Sequence, residues 1–251
     1  MSLHLMKHIL ISYYRSALVQ CVGSIIEAIQ VRNIEDHEEE QSKRVVEPLF
    51  TLLFERIYDV NSFTRSMVCR VLSRLVETHA IPILKYNVLT RLAMDRLQDK
   101  TAVVRKSALQ LLTQLIDYNP HSPQLDMQIF NTKKTQLEQS FERRRAELLE
   151  WYKTHLESED RDIFLEKSLE EQLEFLSNES IHIDDDEIKS LTLQIQFSND
   201  GMEFISICHQ AVLHLSKFLN SKTNSDISES LKLLTHGINF SVPDSARIFQ
   251  R

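Results

Sequence analysis

The residues of this chain that could do chemistry include one cysteine next to a histidine. A thiol and an imidazole in contact can act as nucleophile and general base. Cys208 and His209 lie in a stretch with helical periodicity, where adjacent side chains point about 100° apart. Because the two groups cannot meet, the sequence predicts no catalysis at this pair.

Two further groups could hold a metal ion. His4 and His8 are four residues apart and share one helical face, but a metal site needs three or four ligands. No other ligand with suitable spacing lies nearby. The acidic run at 184–187 lacks the glycine and the spacing of a calcium loop. We therefore expect no metal and no cofactor.

Glycine is scarce, with three residues in a chain of 251. Phosphate-binding loops and nucleophile elbows depend on glycine, and the chain has no G-x-x-x-x-G-K-[ST] pattern. No stretch approaches the roughly 18 uninterrupted apolar residues that span a bilayer. We expect neither an enzyme nor a membrane protein, and we expect no small-molecule substrate. The composition instead favours long helices joined by short turns.

An internal repeat supports this prediction. When the sequence is shifted by 40 residues against itself, identical and similar residues align without a gap from Leu52 to Ile116. Each copy reads as two helices, A and B, at 44–57 and 62–79 and then at 85–97 and 101–118. Pro48 is expected in the first turn of its helix. The segment at 14–17 matches 64–67 at an offset of 50, so we expect the chain to begin inside a repeat array.

Three regions follow from these patterns. Residues 1–120 are predicted to form helical repeats, of which the first is incomplete. Residues 121–186 are predicted to form an acidic helical insertion, since 121–200 has a net charge of −10 against +5 for 41–119. Its first helix, at 128–157, is expected to bury an apolar stripe, and the segment near 179–187 is expected to be mobile. Residues 187–251 are predicted to form further repeats that are truncated, with Asp226 as an N-cap. The apolar stripe of the helix predicted at 128–157 consists of Leu137, Phe141, Leu148 and Trp151.

An aspartate and an arginine lie six residues apart in both copies, at the turn between helices A and B. An aspartate there can cap free N–H groups of helix B, and an arginine one turn later can bind that carboxylate or the one in the adjacent repeat. Repeated along the stack, the pairs would form a structural ladder. A ligand-binding role is the alternative. The residues are Asp59, Arg65, Asp99 and Arg105.

A second candidate set lies off the apolar stripe of the B helices. In a solenoid, which is a stack of such helix pairs, the B helices line the concave side. These polar side chains could therefore contact an extended partner or DNA. The alternative is a face that is merely solvated. The residues are Arg70, Arg74, Lys106, Gln110 and Gln114.

The ladder on a helical pair of about 40 residues resembles the HEAT repeat. The sequences LFERIYDVNSFTRSMVCRVLSRLVETHAIP and RLQDKTAVVRKSALQLLTQLIDYNP resemble the central region of the condensin subunit 1 family. The shared order is a D-V-N-x-x-x-R turn, a break like K-A-[IL]-P, and a D-K-[ST]-x-x-V-R-K turn closing on N-P. FLNSKTNSDISESLKLLTHGINFSVPDS resembles the next block. The blocks cover roughly 45–120 and 200–245, so the chain would be a fragment or a reduced version.

The resemblance implies an all-α HEAT-repeat solenoid of antiparallel helix pairs, interrupted by an acidic helical insertion. It implies a scaffold for chromosome condensation in mitosis, with the kleisin subunit and the SMC ATPase subunits as partners and weak, sequence-independent DNA contact. The expected location is the nucleus or chromosome, and the cytoplasm for part of the cell cycle. The alternative is another HEAT or armadillo-type adaptor, in transport or in kinase or phosphatase scaffolding.

Overall fold

The computed structural model of the protein describes residues 3–36, 39–155 and 186–250. Within these ranges the chain is helical and contains no strand, which confirms the all-α prediction. None of the described helices is long and apolar enough to cross a membrane. The α-helices, with a short 3-10 turn at Ile83–Lys85 before α4, are α1 (Leu3–Asp36), α2 (Glu39–Arg56), α3 (Ser62–Glu77), α4 (Tyr86–Arg96), α5 (Ala102–Asp117), α6 (Met127–His155), α7 (Asp186–Leu219), α8 (Asn224–Asn239) and α9 (Ser245–Phe249).

The chain divides into two compact units. The first comprises residues 1–126 and 203–251, and the second comprises 127–202. The sequence instead placed the boundaries of the insertion at 121 and 186. Helix α7 begins at Asp186 and continues past residue 202, where the second unit ends. The segment near 179–187 lies outside the described residues, except for the first turn of α7.

The first unit is a stack of helices in chain order. The helices α1, α3, α5 and α8, which we call the B helices, pack each against the next. The A helices, α2 and α4, pack on this layer: α2 contacts α1 and α3, and α4 contacts α5. This is the arrangement that the repeat of two helices predicts.

Apolar residues three or four positions apart form the core of this stack. Complete burial of one such large side chain contributes roughly 1.5–3 kcal/mol to folding. Among the side chains with no exposed surface are Phe50 and Leu53 of α2, Ile57 in the turn after it, Val68, Leu72 and Leu75 of α3, Leu89 and Ala93 of α4, and Ala108, Leu109 and Leu115 of α5.

Two helices begin or end differently from the prediction. Helix α2 begins at Glu39, so Pro48 lies inside it and not in its first turn. The residues before 44 are mostly good helix formers, which extend the helix upstream. Asp226 is not the N-cap of α8, because that helix begins at Asn224 and its N-cap is Thr223.

Close contact between α1 and α3 depends on Gly23. A β-carbon at this position would lie 2.3 Å from Cγ1 of Val71, which is far inside van der Waals contact. The absence of a side chain therefore lets the two B helices approach each other.

In the second unit, Phe130 of α6 packs over Gly201 of α7, where a β-carbon would meet the ring at 2.3 Å. The apolar stripe of α6 differs from the prediction. Trp151 is 52% exposed, and Leu149 is buried. Because Leu148 and Leu149 are adjacent, the sequence alone does not decide which of them faces the neighbouring helix.

Candidate functional site: the ladder and the outer face of the B helices

The aspartate–arginine pairs join neighbouring B helices. Arg65 of α3 donates two nearly parallel hydrogen bonds to Asp99, from Nε to Oδ2 at 2.7 Å and from Nη2 to Oδ1 at 2.8 Å. Its Nη1 also donates to the carbonyl oxygen of Asp59 at 2.7 Å. One guanidinium therefore ties its own turn to the turn of the next repeat. Bidentate pairs of this kind are stronger than neutral hydrogen bonds and fix the geometry.

Related contacts occur on either side. Arg105 of α5 donates from Nη2 to Oδ2 of Asp226 at 2.7 Å and from Nη1 to the carbonyl oxygen of Asp99 at 2.8 Å. Arg15 of α1 lies 3.3 Å from Oδ1 of Asp59. We call each contact a rung, and the three rungs link α1, α3, α5 and α8 in order.

The three carboxylates are nearly inaccessible to solvent, with side-chain exposures of 2%, 4% and 1% for Asp59, Asp99 and Asp226. Asp59 accepts a hydrogen bond from the backbone of Asn61 at 2.8 Å, and Asp99 accepts one from Thr101 at 3.0 Å. The aspartates therefore brace the turns. In α3 the helix N-cap is Asn61, whose Oδ1 accepts from the second and third N–H groups of the helix.

Burial alone would raise the pKa of Asp99. Hydrogen bonds from Arg65 and Thr101 outweigh this effect, and they hold the pKa at about 2. The Asp99 carboxylate therefore stays ionised at pH values well above 2, and its ion pair with Arg65 is kept there.

A second arginine accompanies two of the carboxylates. Arg56 lies 3.6 Å from Asp59, and Arg96 lies 3.7 Å from Asp99. Arg96 also lies over the ring of Tyr58, 4.5 Å from its centroid. Each of these rungs thus has two guanidinium groups for one aspartate of the ladder, and Asp95, which accepts a hydrogen bond from Tyr58, lies beside the second rung.

The outer face of the B helices, away from their apolar stripe, carries the polar residues that were predicted to contact a partner. Only some of these side chains are available. Arg70 and Lys106 are exposed, whereas Gln110 and Gln114 are half-buried. Arg74 is engaged within the stack, since it lies 3.3 Å from Glu27 and donates to Ser24. Exposed cationic side chains on this face therefore come from Arg70 and Lys106.

The engagement of Arg74 is part of a second series of contacts, near the C-terminal ends of the B helices. Arg74 of α3 pairs with Glu27 of α1, and His236 of α8 pairs with Asp117 of α5. We call this the second ladder. At the intermediate step, Gln114 occupies the place of the cation. Its Oε1 is buried and meets no hydrogen-bond donor among the described residues.

The structure separates Cys208 from His209. The Cys208 thiol is buried, and burial raises its pKa, while His209 Nε2 lies 2.9 Å from Asp244. The pair therefore does not form a nucleophile and its base. No group of three or more metal-ligating side chains occurs in the described part of the chain, and the side chains of His4 and His8 lie outside it.

Several members of these networks were not predicted to take part in a ladder. Arg15 aligns with Arg65 at an offset of 50, and Arg56 aligns with Arg96 at an offset of 40, so the repeat contained the necessary signal for these two. Asp226 had no such signal, because it lies 121 residues after its partner.

Comparison with known proteins identifies relatives of the chain. It is similar to the condensin-1 complex subunit CAP-D2 of Arabidopsis thaliana, with 37% identity over 118 residues, which cover 46% of this chain and 8% of the plant protein. Condensin complex subunit 1 of Mus musculus is 33% identical over 111 residues, covering 44% and 8%. The protein of that name from Saccharomyces cerevisiae is 24% identical over 253 residues, covering 88% and 20%.

The matched region spans between 8% and 20% of the length of these three relatives. No protein-family model matches the chain. The relatives nevertheless come from a plant, an animal and a fungus, and each is described as a condensin subunit, which confirms the resemblance that the motifs indicated. The chain is thus related to condensin complex subunit 1, and it matches a part of that much longer protein.

Proposed function

We propose that the chain acts as a scaffold within the condensin complex in chromosome condensation, in the nucleus or on the chromosome. The observation that carries this proposal is the similarity to condensin complex subunit 1 in three kingdoms. The ladder supports it, because a stack in which every B helix is tied to the next holds a long surface in a fixed shape.

The partners that we propose are the kleisin subunit and the SMC ATPase subunits. Co-purification of the tagged chain from its own cells tests this, with the associated proteins identified by mass spectrometry. Recovery of SMC and kleisin subunits is the expected result. Recovery of transport factors, kinases or phosphatases in their place would favour the alternative adaptor function.

We also propose weak contact between DNA and the outer face of the B helices. Arg70 and Lys106 carry this contact, and residues 41–119 have a net charge of +5 although the chain is net −7. Binding should be insensitive to DNA sequence and should weaken steeply with salt, because it depends on displacing counterions from phosphates.

A charge reversal tests the DNA contact. Arg70→Glu combined with Lys106→Glu should abolish the binding of duplex DNA to the full chain at low salt. Arg143→Glu combined with Lys133→Glu is the control with the same change of net charge, since both residues are exposed cations of α6 outside this face. Equal loss in both proteins would show that the attraction comes from overall charge and not from this surface.

A further inference from the structure

Three B helices present a large apolar side chain to solvent at the same position. Tyr13, Phe63 and Val103 are 78%, 67% and 44% exposed, and each lies two residues before the arginine of a rung. Isolated apolar residues are common on protein surfaces. The repeated position, however, aligns these three across α1, α3 and α5, and we call them the apolar row. Val60 is 89% exposed in the turn before Phe63 and widens the row at its centre.

The spacing of the row suggests the conformation of an occupant. The axes of packed helices lie about 8–10 Å apart, so the side chains of the row repeat at about that distance. A polyproline II segment has three residues per turn and advances about 3.1 Å per residue, which brings every third side chain to one side every 9 Å or so. A β-strand repeats on one face every 6.6 Å or so, which matches less well.

The charge beside the row suggests the composition of the occupant. The first two rungs have two arginines for each carboxylate, and the two beside Asp59, Arg15 and Arg56, are 42% and 47% exposed. A partner with acidic residues between its apolar ones would meet this charge. Opposite charges also direct the encounter, although exposed ion pairs add little affinity.

Nucleic acid fits the same edge poorly. Arg65, Arg96 and Arg105 are only 11%, 18% and 17% exposed, and they pair with carboxylates of the stack. Few of their N–H groups remain for phosphates. The exposed aromatic and aliphatic side chains between them offer nothing to a charged backbone, which dominates the affinity of proteins for duplex DNA.

We propose that the apolar row, with Arg15 and Arg56, binds an extended segment of a partner protein that has an apolar residue at every third position and acidic residues between. The proposal rests on the proposed function for the existence of a partner subunit, and it adds the surface and the chemistry of the contact. Aromatic side chains are suited to this mode, since they bind polyproline II segments elsewhere.

A synthetic peptide tests the proposal on the full chain of 251 residues. The probe is a fluorescein-labelled peptide of repeated Leu-Glu-Pro triplets, and its binding is measured by fluorescence anisotropy. Phe63→Ser should weaken binding about tenfold, as expected when an aromatic anchor is truncated. Leu84→Ser is the matched control, because Leu84 is 71% exposed and lies before α4, away from the row. This variant should bind like the original protein.

Two further peptides separate the contributions. Repeated Ser-Glu-Pro triplets remove the apolar contacts and repeated Leu-Lys-Pro triplets reverse the charge, so both should bind more weakly than the probe. Tyr13→Ser provides a second variant, and thermal melts of both row variants should match the original protein. Undetectable binding of the probe, equal binding of all three peptides, equal effects of Phe63→Ser and Leu84→Ser, or competition by duplex DNA would overturn the proposal.

Failure of this proposal is distinguishable from failure of the proposed function. If SMC and kleisin subunits co-purify with Phe63→Ser as with the original chain, and the probe does not bind, the row is not the contact and the scaffold function stands. If the probe binds as expected but no condensin subunit co-purifies, the row binds such segments and the proposed complex is wrong.

Discussion

Arg65 and Asp99 form a bidentate ion pair between two consecutive repeats, with hydrogen bonds of 2.7 and 2.8 Å. Because the Asp99 carboxylate is only 4% exposed, water cannot solvate its charge. The arginine stabilises that charge instead. The pair thus joins helices that the sequence separates by a complete repeat.

Removal of either partner should destabilise the fold. Arg65→Ala, Asp99→Ala and Arg105→Ala should each lower the free energy of unfolding by about 1–2 kcal/mol, through loss of a charge-assisted hydrogen bond. Thermal and denaturant melts provide the measurement. Arg65→Ala combined with Asp99→Ala should cost less than the sum of the single changes, because both remove one contact. Glu55→Ala, at an exposed carboxylate, is the control. Neutral effects at all three sites would show that the rungs contribute nothing to stability.

Stability should fall as the pH is lowered through the range of His121. Burial lowers the pKa of this histidine from 6.5 to about 4, so the unfolded chain takes up a proton before the folded one does. The free energy of unfolding should therefore be fully retained above pH 6.5 and should decrease from there towards pH 4 or so. Urea melts across this range provide the measurement. His121→Gln should flatten the decrease, and an unchanged slope would contradict the assignment to His121.

The missing cation of the second ladder can be supplied. Gln114→Arg places a guanidinium at the position that Arg74 and His236 occupy in the neighbouring B helices. Its expected partner is Glu77 of α3, the carboxylate that aligns with Glu27 and Asp117. We expect a gain of up to about 1 kcal/mol in the free energy of unfolding, as for a partly exposed ion pair. The gain should shrink at high salt and should vanish when Glu77→Ala is added. A gain that persists without Glu77 would point to helix propensity instead.

The close contact at Gly23 can be tested by filling it. Gly23→Ala should lower the free energy of unfolding by about 1–3 kcal/mol, although alanine favours helices, because its β-carbon would lie 2.3 Å from Val71. Addition of Val71→Ala should recover part of this loss, so that the two changes are not additive. If Gly23→Ala is instead stabilising, α1 does not pack on α3 at this distance.

Local regularity explains how much of this structure the sequence predicts. Helix α3 begins at residue 62 as expected and ends two residues earlier than expected. It was predictable because its apolar period and its flanking turns are encoded within the segment itself. The two possible partners of Arg65 were also evident from the shift of 40 residues. The choice between them depends on the distance between neighbouring helices, which no local pattern contains.

Contacts without a repeated spacing were not predictable. Asp226 resembled an N-cap because its position before an apolar run suits that role, and its actual partner lies 121 residues away. The pairs Arg74–Glu27 and His236–Asp117 use different residue types at different separations. In α6, Trp151 is exposed because burial depends on a neighbour whose position the helical period does not specify.

The ladder has a direction. In each rung, the arginine comes from the earlier B helix, and the aspartate comes from the next B helix or the turn before it. Arg65 and Arg105 each lie four residues after the N-cap of their helix. In α8 this position is Ile227, so α8 supplies a carboxylate to the ladder but no arginine at the position that would continue it. Among the described residues, the series of rungs therefore stops at α8. A neighbour that packs beyond this helix would lack the arginine–aspartate contact that aligns the earlier B helices.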